Sequence, residues 1–162
     1  MKKILFSIVL LFLTANLAIS ASIESEVREF ASREYPNDSK MEQYIYKKQI
    51  AAYNYLITVK DLEVKKFASR EYTYDYSMQK YIYDKQLAAK SYMKTVADIE
   101  IKTLAIRDYP HDYSMQKYIY DKQLAAKRYM AAVTNKNAKI KATRKYPYDY
   151  SMQKYIYDKF AY

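Results

Sequence analysis

Apolar residues recur along this chain at i, i+3 and i+4 in short runs: Val27, Phe30 and Ala31, then Val64, Phe67 and Ala68, then Ile101, Leu104 and Ala105. That spacing places each trio on one face of a short helix. A longer helical pattern follows each run, and in one copy it extends from about residue 114 to 133. At about 100° per residue, Met115, Ile119, Ala126, Tyr129, Met130 and Val133 fall within an arc of roughly 120°, which predicts a core face. A second, narrower seam carries Tyr113, Tyr120, Leu124 and Ala131, and an earlier copy repeats it as Tyr46, Ile50 and Ile57. Only a thin strip, Lys117, Asp121 and Arg128, is charged. A helix with two apolar seams is expected to be sandwiched between neighbours. Tyr81, Tyr83, Tyr118, Tyr120, Tyr155 and Tyr157 are expected to fill that interior, with their hydroxyls at its rim.

The two patterns alternate with a fixed period. "DYSMQKYIYDK" stands at Asp75 to Lys85, at Asp112 to Lys122 and at Asp149 to Lys159. Arg33, Arg70, Arg107 and Arg144, each followed two residues on by tyrosine, mark a period of 37 residues and units near 23–59, 60–96, 97–133 and 134–162. "YPND", "YTYD", "YPHD" and "YPYD" join the short element to the long one. Proline ends the first helix there, and Asp, or the following Ser, caps the second. In the first copy Ser39 and Glu42 have the spacing of a capping box. The fold expected is all-α: four tandem helical-hairpin repeats, the last truncated, stacked as a short α-solenoid in which each unit covers its neighbour's apolar face. In the fourth copy Lys141 stands where Phe30, Phe67 and Leu104 stand in the others, which reads either as a polar cap or as a decaying end. The linker and helix start resemble the short YPxDYSMQxY segments of uncharacterised bacterial secreted proteins. That resemblance covers the repeat units and implies no function, fold or site. The period is also similar in length to that of tetratricopeptide repeats, whose glycine and alanine signatures are missing here.

Composition supports helices. Glycine is absent from all 162 residues, which argues against hairpin-rich β folds and against phosphate-cradling loops. No cysteine is present, so stability is expected from packing without disulfides. Met1, Lys2 and Lys3 precede an apolar run, Ile4 to Ile19, that leads into small residues. This reads as a secretory signal over 1–20, cleaved after residue 20 or 22, with an uncleaved membrane anchor as the alternative. Without Lys2 and Lys3, 26 basic residues face 18 acidic ones, a charge near +8. In a secreted or periplasmic protein, that charge points to anionic envelope polymers and away from nucleic acid.

No catalytic constellation emerges. The single histidine, His111, sits in a linker whose sequence has no metal-ligand spacing, so neither a metal nor a cofactor is expected. Asp75, Asp112 and Asp149 read as helix caps; Asp84, Asp121 and Asp158 read as i, i+4 partners of Lys80, Lys117 and Lys154. Two candidate surfaces remain. Arg70, Tyr72, Tyr74, Arg107, Tyr109, His111, Arg144, Tyr146 and Tyr148 would line the linkers along one edge of a stack, where rings can stack on sugars and arginines pair with acidic groups. Lys136, Lys139, Lys141, Arg144 and Lys145 form a basic patch. The function expected is non-enzymatic binding, by an extended surface, of a protein, a peptide or an anionic envelope polymer. The alternative is a self-associating structural component of the envelope or matrix, and no stable membrane span is expected after processing.

Overall fold

The computed structural model describes residues 21–161, and the expected signal segment lies outside them. Among the described residues there are eight helices and no strand. Helix α1 spans 21–34, followed by α2 (Ser39–Leu56), α3 (Leu62–Glu71), α4 (Tyr76–Thr95), α5 (Ile99–Asp108), α6 (Tyr113–Ala132), α7 (Lys136–Lys145) and α8 (Tyr150–Phe160). Short and long helices alternate as the apolar spacing predicts. The described residues divide inside α4, after Tyr83, into two compact units.

Helix starts are set by side chains. Asp61, Asp98, Asp112, Asn135 and Asp149 each accept a hydrogen bond from the backbone N–H three residues on, satisfying a donor that the helix leaves open. At α2 the cap is Asp38, which accepts from the N–H groups of Lys40 and Met41. The expected Ser39–Glu42 box does not form, and Glu42 instead accepts from the Ser32 hydroxyl. The short helices bury the faces read from the spacing: Val27, Ala31, Val64, Ala68, Ile101 and Ala105 are fully covered, and Phe30, Phe67 and Leu104 are half-buried.

The long helices bury something else. In α6 the covered side chains are Gln116, Tyr120, Gln123, Ala126 and Met130. Met115, Ile119 and Val133 are half-buried, while Tyr129 and Ala131 face solvent. Buried glutamines, two each in α4 and α6 and one each in α2 and α8, thus replace part of the expected apolar face, and hydrogen bonds explain their position. In the first unit, Gln49 Nε2 donates to Asp75 Oδ1 (2.8 Å), and Gln49 Oε1 accepts from the Ser77 N–H (3.0 Å). In the second unit, Gln86 holds Asp112 and Ser114 in the same way (2.7 and 3.1 Å), and Gln123 holds Asp149 and Ser151 (2.8 and 3.1 Å). One long helix thereby grips the N-terminus of the next. The other glutamine secures the linker: Gln79, Gln116 and Gln153 donate to the carbonyls of Tyr72, Tyr109 and Tyr146 at 2.5, 2.7 and 2.7 Å.

Tyrosines complete the joints. In the second unit Tyr120 is buried with Met93, Ile101 and Ala105, and its hydroxyl accepts from the Asp98 N–H at 3.2 Å. Tyr157 packs with Met130, Ala138, Ala142 and Ile156 and accepts from the Asn135 N–H at 3.3 Å. Edge-on ring pairs join successive long helices: Tyr55 with Tyr83 in the first unit, and Tyr92 with Tyr120 and Tyr129 with Tyr157 in the second, with centroids 6.1–6.3 Å apart.

Removing the grip should destabilise the fold more than removing its exposed neighbour. Gln123→Ala leaves the Ser151 N–H without its partner and Asp149 Oδ1 with the Met152 N–H alone, and it is expected to cost about 1–3 kcal/mol. Lys122→Ala, one residue away, should stay within about 0.5 kcal/mol of wild type. Urea denaturation followed by circular dichroism measures both, and equal midpoints would refute the role assigned to Gln123.

Candidate binding surface

The linker tyrosines fall into two groups. Tyr72, Tyr109 and Tyr146 are C-caps, donating their N–H to the carbonyls of Ala68, Ala105 and Ala142 while their own carbonyls take the buried glutamines. Tyr146 also packs against the core of its unit. These three are primarily parts of the fold. Tyr74, His111 and Tyr148 occupy the loop tips and are exposed. Two of the candidate arginines are compensated locally: Arg70 lies 3.4 Å from Glu71 and over the Phe67 ring, and Arg107 lies 2.9 Å from Asp108. Arg144 is followed by Lys145 in place of an acid and is exposed.

The basic patch lies entirely on α7, which carries five basic residues and no acidic one. Lys136, Lys141, Arg144 and Lys145 are exposed and Lys139 is half-buried. Lys141 sits 3.5 Å from the centre of the Phe160 ring, and Lys145 sits 5.6 Å from that of Tyr146.

One expectation is reversed. Tyr81, Tyr118 and Tyr155 are 57%, 56% and 58% exposed, as is Tyr44 in the first copy at 58%, whereas Tyr83, Tyr120 and Tyr157 are buried. The two sets lie two residues apart, about 200° around the helix, so only one of them can face the core. Lysine follows each exposed ring four residues later, and Lys48, Lys85, Lys122 and Lys159 are all exposed.

Acidic side chains are largely engaged inside the protein. Asp121 accepts from Tyr92 (2.6 Å) and Lys117 (2.5 Å), and Asp158 accepts from Tyr129 (2.6 Å) and Lys154 (2.5 Å). Burial pushes the Asp121 carboxyl up, but the bonds from Lys117 and Tyr92 outweigh it and hold the group below the usual carboxylate range. Lys154 and then Tyr129 do the same for Asp158. Asp98 is lowered chiefly by its bond to Lys127 at 2.8 Å. The bond to Asp121 pushes the Tyr92 phenol up to about 12, and burial followed by the bond to Glu100 raises Tyr150.

A groove in the second unit is lined by Asp108, Tyr109, Ile119, Lys122, Asp149 and Ser151, among others. Its carboxylates are already engaged, Asp108 by Arg107 and Asp149 by Gln123 and the Met152 N–H. Among the described residues, no group of three or more His, Cys, Asp or Glu side chains is placed to hold a metal ion, and no helix is long and apolar enough to cross a membrane. No protein-family model, curated protein or solved structure matches the chain.

These ion pairs fix the direction of the pH response. Carboxyls held low in the folded state contribute stability that is fully present above their unfolded value, near 4, and lost as the pH falls through the folded values. Tyrosines raised in the folded state contribute stability that is present below about 10 and lost as the pH climbs toward the folded values. Thermal unfolding should therefore show a plateau of Tm between about pH 5 and 9, falling on both sides. In Tyr92→Phe the alkaline fall should be shallower, and an unchanged alkaline limb would refute the Tyr92–Asp121 account.

Proposed function

We propose that this is a non-enzymatic, secreted or periplasmic helical-repeat protein that binds an anionic polymer of the cell envelope through an extended surface. One observation carries the reading: the fold engages its acids and leaves many of its cations in solvent. Asp38, Asp61, Asp75, Asp98, Asp112 and Asp149 cap helices. Asp108, Asp121 and Asp158 neutralise adjacent basic side chains. The processed chain, near +8 without Lys2 and Lys3, therefore offers a partner mainly its cations, and such a field recruits polyanions.

The finer architecture belongs to the same proposal. A 37-residue hairpin unit stacked as a short α-solenoid is supported by the glutamine grip, which recurs at Gln49, Gln86 and Gln123 with the same partners each time. Repetition of one joint is how a solenoid grows. Continuation onto further copies is less well supported. Phe160 takes the place of the gripping glutamine, and Asn137 takes the place of Glu100, the acid that receives the Tyr150 hydroxyl. Binding is therefore preferred to end-to-end assembly.

The processed chain should be retained on a carboxylate- or phosphate-bearing polymer matrix at 0.1 M salt and released before 1 M, as the screening length falls from about 10 to about 3 Å. Retention indifferent to salt would overturn the reading. So would retention only by an uncharged peptide or protein ligand.

A further inference from the structure

The outward face of the long helices carries a repeated pair, an exposed tyrosine and an exposed lysine four residues later, for which the fold supplies no use. In the second unit the pairs are Tyr118 with Lys122 on α6, and Tyr155 with Lys159 on α8. These helices pack directly against each other, joined by Gln123 and by the Tyr129–Tyr157 ring pair. The first unit carries the same ring at Tyr44 and Tyr81, with Lys48 beside the former. None of these rings makes a hydrogen bond or a ring contact among the described residues, and Lys48 and Lys122 make no ion pair there. A phenol ring left more than half in water forgoes over half of the roughly 25 cal/mol per Å² that full burial would provide.

Duplication could have copied such positions passively, but the first copy provides a control because it has diverged. Its long helix replaces Tyr76 by Ser39, Gln79 by Glu42, Lys80 by Gln43, Asp84 by Lys47 and Lys90 by Tyr53. Nearly every position it keeps serves the fold, since Asp38 caps, Gln49 grips the next helix, and Ala52 is in the core. Tyr44 and Lys48 are kept as well, exposed and with no internal use. The linker edge fails the same comparison, since Asn37 occupies the position of Tyr74 and Tyr148.

We infer that this tyrosine–lysine face is the binding surface, and that its occupant is an acidic polysaccharide, whose sugar rings stack on the tyrosines while its carboxylate, sulfate or phosphate groups pair with the lysines. The inference rests on the polymer-binding reading above and adds the face and the ring chemistry. The neighbouring carboxylates do not oppose it, because Asp121 and Asp158 are already neutralised by Lys117 and Lys154, leaving the exposed Lys122 and Lys159 without a carboxylate partner among the described residues, Lys159 lying 5.9 Å from the centre of the Phe160 ring. A polyanion without rings would satisfy the lysines alone. The exposed tyrosines therefore favour a glycan, since aromatic faces stack on the apolar faces of sugars.

The test measures binding of the full processed chain to polygalacturonate, to a neutral glucan and to polyglutamate of matched charge density, by calorimetry. The expected result is tighter binding to polygalacturonate than to polyglutamate and no binding to the glucan. The double variant Tyr118→Ala/Tyr155→Ala should lose at least tenfold in affinity for polygalacturonate while changing less than twofold on polyglutamate. Lys122→Gln/Lys159→Gln should lose affinity for both. Circular dichroism of each variant should match wild type, because the substituted side chains are exposed. If Lys136→Gln/Lys141→Gln abolishes binding and the face variants do not, the face is overturned while the polymer-binding reading survives. Equal wild-type affinity for polygalacturonate and polyglutamate overturns the glycan assignment alone. Failure of the wild type to bind any polyanion overturns both.

Discussion

A buried primary amide holds the long helices together. An N-terminus brings unsatisfied N–H groups and a partial positive charge to whatever it packs against, so burying one against a neighbouring helix is costly unless the neighbour supplies an acceptor. Gln49, Gln86 and Gln123 supply one and do more, because each amide also donates to the aspartate that caps the same helix. Donor and acceptor lie on one planar group, so both bonds form only at one rotation and one register of the two helices. Apolar packing alone would tolerate sliding by a fraction of a turn. The amide does not, because a bond lost in the interior costs more than its formation gains.

That constraint explains several otherwise unrelated features. The aspartate of "DYSMQ" is fixed in place, since it receives both the helix N–H and the glutamine. The serine two residues later contributes its N–H to the grip. The second glutamine fixes the preceding linker through the tyrosine carbonyl. The eleven-residue stretch repeated three times is therefore an assembly code: a cap, a grip point, a linker anchor, a buried ring and an outward ring. Among the described residues, only the outward ring has no internal role, and the lysine following it has no ion pair.

Much of this was legible in the sequence, and the misses share one cause. Helix type, alternation and period follow from the spacing of Val27, Phe30 and Ala31 and its echoes, because a 3.6-residue period survives any detail of packing. The caps at Asp112 and Asp149 and the Lys117–Asp121 and Lys154–Asp158 pairs are local and could be read for that reason. What could not be read was which of two tyrosines two residues apart points inward. Hydrophobicity ranks Tyr118 and Tyr120 identically, and the decision rests on the partner each hydroxyl finds: Tyr120 meets the Asp98 N–H, and Tyr118 meets none among the described residues. The glutamines were missed for the complementary reason. A polar side chain counts against burial in any hydrophobic pattern, and its justification lies 26 residues away in Asp75, Asp112 or Asp149. Recurrence of Gln49 at the same position as Gln86 and Gln123 was the available signal.

Comparison among the copies also separates stability from surface chemistry at α7. This helix replaces the aspartate cap with Asn135, the buried Val64 or Ile101 with Ala138, and the first-turn Glu63 or Glu100 with Asn137. Lys136 adds a positive charge at the end where the helix dipole is already positive, an arrangement that costs a few tenths to about 1 kcal/mol. The loss of core volume at Ala138 and of the first-turn acid at Asn137 weakens the packing and the dipole match of this helix, while the loss of both acids leaves its charge wholly positive. Cation–ring contacts from Lys141 to Phe160 and from Lys145 to Tyr146 recover a part. The outward lysines of α6 and α8 differ in kind. Each stands mid-helix or near a C-terminal end, where a cation is neutral or favourable, and each repeats with its tyrosine at the period of the fold. A charge that weakens its own helix can reflect drift as readily as use. A ring and charge that return on successive helices, with no hydrogen bond or ion pair to hold them among the described residues, are not accounted for by helix stability.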